Sequence, residues 1–235
     1  MKANIIAILL AVLVIVGCSA LQYNEREVIE DLMKHSTVRL EMMNDQGMPT
    51  GVGSGFIWSD EYIATAGHCV KDSRGRNLKH VTVILDGRRF RAEVVGGVQN
   101  GTYDTGVIKI PEEMKKYVVP VPRDFSPLFV LDNIVIIGCG MGLPNHAVKG
   151  VISNPELRGY GVYRTQSDAS ANPGNSGGAM LRSGKLVGML VAGYPHAENI
   201  NFSVPTSEIK KIVDLILKEK KIRDKTALDA LMKGI

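Results

Sequence analysis

The sequence predicts an all-β protein, a barrel or a sandwich, with a helix towards each end of its folded body. Three observations predict this. Many short runs alternate apolar and polar residues with period two. Turn residues separate them, among them Asp86-Gly87 and Ser183-Gly184, dipeptides suited to tight hairpins. No helix-period segment stands between the runs, which argues against a βαβ sheet. The 235 residues fit one or two domains, and 45% hydrophobic with 22% charged residues is ordinary for a globular protein able to bury a core.

Taken in order, Met1-Lys2 gives a short positive start to an unbroken apolar run of 12 residues, Ile5 to Val16. That is short for a transmembrane helix and suits the central region of a signal peptide. It ends in Ile15-Val16-Gly17-Cys18, which resembles a bacterial lipobox with Cys18 as the lipidated mature N-terminus; the alternative is an uncleaved membrane anchor in which Cys18 is incidental. The lipobox reading makes residues 1–17 a leader, 18–24 a tether and 25–235 the folded body, and either reading puts the rest of the chain outside the cytoplasmic membrane. Ser19, rather than an aspartate, resembles sorting to the outer membrane in a Gram-negative source.

Residues 25–34 read as a helix with Val28, Ile29, Leu32 and Met33 on one face. Residues 36–43 alternate into a strand, Val38 and Leu40 on one side, Arg39 and Glu41 on the other. Further strands are expected near 52–58, 62–66, 80–86, 89–97, 105–110, 133–139, 147–153, 161–167, 178–182, 185–193 and 200–204. After Pro205, Thr206 or Ser207 can cap a helix carried by Ile209, Ile212, Val213, Ile216 and Leu217, and a second short helix is expected over 226–233. The net charge of +4 owes much to six Lys and one Arg between Lys210 and Lys225. No aromatic residues interleave with them, so a solvated helix face is expected there and no nucleic-acid partner. Cys69 and Cys139 do not make a disulfide framework and read as buried free thiols, although export would permit their pairing.

Three segments carry the chemistry. Tyr62-Ile63-Ala64-Thr65-Ala66-Gly67-His68-Cys69 runs a strand into small residues and ends on a histidine with space around its ring. Tyr103-Asp104-Thr105-Gly106-Val107 sets an aspartate at the entry to an apolar strand, 36 residues on, where it can either cap a turn or receive the imidazole Nδ1–H. Asn172-Pro173-Gly174-Asn175-Ser176-Gly177-Gly178 sets a serine among glycines, which allow close backbone approach and positive φ. The last segment also fits the G-x-S-x-G elbow of α/β-hydrolases, but that fold places its acid and histidine after the serine. Here only His196 follows, with 59 residues left. Gly51-x-Gly53-x-Gly55 leads into a strand and not a helix, which excludes a nucleotide loop. His35, His80, His146 and His196 lack paired ligand spacing, so no metal and no cofactor is assigned.

In this order the Thr-Ala-Gly-His-Cys, Asp-Thr-Gly-Val-Ile and Gly-Asn-Ser-Gly-Gly segments resemble those of the trypsin-like, chymotrypsin-fold serine proteases. Gly53-Ser54-Gly55-Phe56-Ile57, Gln166-Ser167-Asp168-Ala169 and Asn201-Phe202-Ser203-Val204-Pro205 are similar to segments of the HtrA/Deg-like branch. The resemblance runs from about Val28 to Leu217. It implies two six-stranded antiparallel β-barrels, about 36–118 and 127–205, with the site between them. It further implies Ser176 as nucleophile, His68 as base and then acid, Asp104 as the group that fixes the histidine tautomer, and the N–H groups of Gly174 and Ser176 as the oxyanion hole. The primary pocket would have its base near Ser170, Val191-Ala192-Gly193 as one wall and Asn201 near the other. With no acid at Ser170, a small or medium uncharged side chain before the scissile bond is expected, and Asp168 belongs to the approach strand. The sequence shows neither a PDZ domain nor an Ile-Val-Gly-Gly-type activation site, and no cysteine in the preceding strand to pair with Cys69. The expectation is an exported, membrane-tethered serine endopeptidase acting on proteins or peptides, with a catalytically silent binding module of the same fold as the alternative.

Overall fold

A computed structural model of the chain describes residues 24–232, apart from 45, 101, 160, 161, 195 and 196. The leader, the tether up to residue 23 and Cys18 lie outside the described residues. No helix among the described residues is long and apolar enough to cross a membrane.

Helix α1 covers 24–35 and buries Ile29 and Leu32, with Met33 packed beside them. Val28, expected on the same face, is 37% exposed. Six strands follow: β1 (Thr37–Met43), β2 (Pro49–Ser59), β3 (Tyr62–Thr65), β4 (His80–Leu85), β5 (Arg88–Gln99) and β6 (Asp104–Lys109). They close into an antiparallel barrel in the order β1-β2-β3-β6-β5-β4. The alternation in β1 sets its register: Val38 and Leu40 are fully buried, so a one-residue slip would turn both out into water. Asp86 and Gly87 turn the β4–β5 hairpin with φ of 47° and 76°, the two positive values that a two-residue turn of this kind needs.

The second barrel repeats the plan with β7 (Asn133–Gly138), β8 (His146–Gly159), β9 (Val162–Ser167), β10 (Ala179–Arg182), β11 (Lys185–Gly193) and β12 (Asn201–Pro205), closed as β10-β11-β12-β9-β8-β7. Ser183 and Gly184, at φ of 50° and 72°, turn the β10–β11 hairpin. Strand β8 runs six residues past its expected end at 153. The extension carries Pro155, and irregularities between Ile152 and Asn154 and between Asn154 and Leu157 accommodate it.

The C-terminus differs from the sequence reading. One helix, α2 (Thr206–Met232), replaces the two expected. No Gly or Pro interrupts residues 206–232, and the Lys220–Asp224 pair supports the turn where a break was expected. Thr206 Oγ1 donates to the Leu186 carbonyl at the start of α2, and Ile209, Ile212, Val213 and Ile216 are buried. The helix leaves the second barrel and lies across the first: Ile216 packs on Gly96, and Arg223 donates to the Val95 carbonyl.

Candidate active site

His68 and Asp104 come from neighbouring ends of β3 and β6. Strand β3 stops at Thr65, and a 3-10 turn over Gly67–Val70 carries His68. Asp104 opens β6 and is 9% exposed. Its two oxygens take different donors from one residue: Oδ1 accepts the His68 backbone N–H at 3.0 Å, and Oδ2 lies 2.8 Å from His68 Nδ1. Ring and backbone are thus fixed together, with a proton on Nδ1 and Nε2 left as the basic nitrogen. Gly67 makes the approach possible, because a Cβ there would lie 2.1 Å from the Val98 carbonyl oxygen and 3.0 Å from Asp104 Oδ1. Burial disfavours the imidazolium, but the hydrogen bond to the Asp104 carboxylate and the neighbouring Cys69 together outweigh it and raise the His68 pKa above the ordinary histidine value.

Ser176 comes from the loop between β9 and β10, built as two successive turns. The Asn175 N–H donates to the Asn172 carbonyl at 3.0 Å, and the Gly178 N–H to the Asn175 carbonyl at 2.8 Å. Each turn has glycine at its third position, Gly174 at φ 99° and Gly177 at φ 86°, where a side chain would be strained. A Cβ on Gly177 would also lie 2.1 Å from the Ser54 carbonyl oxygen. The Pro173 carbonyl accepts the Met141 N–H at 2.6 Å. In a trans peptide the N–H points opposite to the C=O, so this bond turns the Gly174 N–H away from Met141. By the same rule the Gly178-to-Asn175 bond turns the Ser176 N–H away from Gly178. Among the described residues, neither the Gly174 nor the Ser176 N–H has a hydrogen-bond partner. The Ser176 hydroxyl donates to the Val191 carbonyl at a long 3.5 Å and not to His68. Catalytic hydrogen bonds of this kind commonly tighten only with substrate in place.

Sequence reasoning missed Ser54, noted there only within a segment similar to the HtrA/Deg-like branch. This buried serine of β2 reaches across to the second barrel. Its N–H donates to the Ser176 carbonyl at 2.7 Å, and its hydroxyl donates to the Gly174 carbonyl at 2.7 Å and accepts the Cys139 N–H at 2.8 Å. A hydroxyl between two glycines beside an apolar strand was the available signal. Asn175 lays its carboxamide in space left by Gly138 and Gly140, where a Cβ would lie 3.0 and 2.9 Å from its Oδ1.

The expected specificity residues are partly brought together. Val191 is buried and its carbonyl faces Ser176, while Asn201 pairs with Gly193 and donates its side-chain N–H to the Ala169 carbonyl at 2.8 Å. Ser170 and Ala192 are exposed. Cys69 and Cys139 are buried, free and unpaired with each other. Cys69 Sγ donates to the Ser176 carbonyl at 3.7 Å and fills the space that a Cβ on Gly53 would need, at 2.7 Å. Cys139 Sγ donates to Asn145 Oδ1, and burial pushes its pKa up to about 11. No cluster of three metal-ligating side chains occurs among the described residues.

Comparison with known proteins gives consistent results. A family profile described as "Trypsin-like peptidase domain" matches residues 53–189. The chain is 34% identical over 188 residues to the chloroplastic Protease Do-like 1 of Arabidopsis thaliana, covering 74% of this chain and 41% of that one. It is 31% identical over 179 residues to a probable periplasmic serine endoprotease, DegP-like, of Brucella suis, covering 73% and 34%. The chain therefore spans about a third to two fifths of the length of these curated relatives. Among solved structures, a serine endoprotease of Yersinia pestis superimposes with a TM-score of 0.68 at 26% identity, covering 81% of this chain and 66% of that one. A Mycobacterium tuberculosis protease in its active form shares the fold, with a TM-score of 0.66 at 22% identity over 78% and 81% of the two chains.

Proposed function

The chain belongs to the trypsin-like peptidases, with DegP/Do-like serine proteases among its relatives, and from that premise we propose that it is an exported, membrane-tethered serine endopeptidase. The observation that carries this reading is the two-point hold of Asp104 on His68, which leaves Nε2 as a base of raised pKa. In the proposed reaction Ser176 Oγ gives up its contact to Val191, passes its proton to His68 Nε2 and attacks the carbonyl carbon of the substrate. The Gly174 and Ser176 N–H groups stabilise the resulting oxyanion, each donor contributing about 2.7–4 kcal/mol by analogy with another protease. His68 then protonates the leaving amine. Water, deprotonated by the same imidazole, attacks the acyl-enzyme and releases Ser176.

Residues 1–17 act as a leader, 18–24 as a tether and 25–235 as the protease body, with Cys18 lipidated. The periplasmic DegP-like relatives support export, and a Gram-negative source would place the enzyme on the periplasmic face of the outer membrane. Substrates are proteins or peptides, accepted with a small or medium uncharged side chain before the scissile bond in a pocket of Ser170, Val191, Ala192, Gly193 and Asn201. The absence of an acid among these five supports that choice.

A fluorophosphonate probe tests the core of the proposal. It is expected to label the wild-type chain and not Ser176→Ala. A folded wild-type protein that resists the probe would favour the silent binding module. A cleavage profile dominated by Lys or Arg would overturn the specificity.

A further inference from the structure

The segment joining the barrels carries four exposed apolar side chains: Phe125 at 54%, Phe129 at 65%, Val130 at 57% and Leu131 at 71%. They are held in place by a fixed frame. Arg182 donates to the Pro127 carbonyl at 3.0 Å and to Asp124 and Asp132 at 2.8 and 2.6 Å, which holds Asp124 well below the usual carboxylate range. Asp132 also accepts the Phe129 N–H at 2.9 Å and returns its own N–H to the Phe129 carbonyl at 3.1 Å, closing a tight turn. Val130 and Leu131 form the tip of this turn, and Leu131 takes φ of 70°. Asparagine or glycine is the ordinary choice at such a position. A bulky apolar residue here bears both strain and exposure, a combination found at functional sites.

The root of the N-terminal segment lies at the same end of the molecule. Glu25 pairs with Lys149 on β8 at 2.9 Å, and Val28 packs against Gly184 of the β10–β11 turn. The Leu131 N–H donates to the Ile152 carbonyl on the same β8 strand, three residues or about 10 Å from Lys149. The six residue steps from Cys18 to Asn24 reach at most about 20 Å when fully extended. A chain anchored at Cys18 is therefore held with this end of the second barrel against the bilayer.

We propose that Phe129, Val130 and Leu131, with Phe125 beside them, form a membrane-contact surface that inserts into the lipid headgroup region next to the N-terminal anchor. This rests on the anchoring proposed above. Rigidly displayed aromatic and aliphatic side chains add buried apolar area at the interface, and they fix the orientation of the body on the membrane.

The test uses the full chain, produced in a lipoprotein-processing bacterium and reconstituted into phosphatidylethanolamine–phosphatidylglycerol vesicles with or without brominated acyl chains. The single tryptophan, Trp58, is buried in the first barrel and provides a constant background. Phe129→Trp is expected to add emission that shifts to the blue on vesicles and is quenched by the brominated lipid. Arg74→Trp, on an exposed loop of the first barrel, is expected to stay unquenched. Both variants should keep wild-type hydrolysis of a soluble peptide. Protein that floats with vesicles while the F129W signal stays unquenched overturns the contact surface and leaves the anchor standing. Protein that does not float overturns both. A blue shift that needs no vesicles and grows with protein concentration assigns the patch to a second copy of the chain and overturns the membrane reading.

Discussion

The two barrels share one connectivity but supply their parts of the candidate site in different ways. The first barrel is self-sufficient. His68 and Asp104 stand at the ends of two hydrogen-bonded neighbouring strands, and the bonds that orient the histidine come from within that barrel. The second barrel offers Ser176 on a loop outside its strands. Part of that loop's support is local, from the Gly177 N–H to the Leu190 carbonyl and from Met141 to Pro173. The rest comes across the interface from Ser54 and Cys69. The His68–Asp104 pair is thus held within one barrel, whereas the Ser176 loop is held by hydrogen bonds from both. Further bonds hold the docking itself: Arg39 donates to the Gly142 carbonyl at 2.6 Å, and Asn145 donates to Thr37 and to the Met33 carbonyl. Helix α2 straps both barrels from outside.

The contrast can be broken most severely on the self-sufficient side. Asp104→Asn keeps the volume but no longer enforces the Nδ1–H tautomer of His68, so kcat should fall roughly 10⁴-fold, as for the same change in trypsin. Circular dichroism should show the fold intact, and a loss under tenfold would remove Asp104 from the proposed triad.

On the dependent side, Gly177→Ala forces a Cβ at positive φ into the Ser54 carbonyl. It should misalign Ser176 and cost about 10²–10³ in kcat, the scale of losing one oxyanion donor, while His68 keeps its hydrogen bond to Asp104. Peptide kinetics beside the NMR shift of the His68 ring proton would separate the two halves. If the ring signal moves as well, the barrels are less independent than their bonding indicates.

Ser54→Ala is expected to act more mildly. It strips the Gly174 carbonyl and the Cys139 N–H of a buried partner, a cost of about 1–3 kcal/mol, or very roughly 2–10 °C in melting temperature. Its kinetic signature should be a fall in kcat of about tenfold with KM unchanged, since the groups it orients act on the transition state. A raised KM at constant kcat would instead place Ser54 in substrate binding.

The smallest effect is on pH dependence. Because the His68 pKa is raised in the folded protein, protonation removes the base at a higher pH than for a free histidine. The acid limb of kcat/KM should have its midpoint above about 6.5. Stability runs the other way. The His68–Asp104 pair stabilises the fold fully below the unfolded histidine pKa, and that contribution is lost as pH rises through the folded value. Melting temperatures across that window should therefore decline while activity rises. A limb centred below 6.5 would contradict the strong Asp104 interaction.

Much of this architecture was legible in the sequence because its signals are local. Period-two alternation located the strands, most to within a residue or two, and Asp-Gly and Ser-Gly turned the hairpins they were expected to turn. The exceptions have physical causes. Pro155 reads as a strand end, but β8 absorbs it through its irregularities. The exposed half of α2 shows little apolar periodicity, so its continuity rests on the absence of helix breakers and on ion pairs. Ser54 escaped notice because its partners, Cys139, Gly174 and Ser176, lie 85 to 122 residues away, and a serine between glycines does not announce a buried hydrogen-bond hub.

The sequence by itself determined that the chain is all-β, that glycines flank a serine, and that a histidine and an aspartate precede it in a set order. Each of these follows from neighbours in the chain, through side-chain alternation and backbone freedom. Only the tertiary structure decided which way the Pro173–Gly174 peptide faces, that a hydroxyl from the other barrel grips the Ser176 turn, and that the apolar inter-barrel turn stands near the start of α1. Those depend on hydrogen bonds and packing between segments far apart in sequence, and no local pattern encodes them.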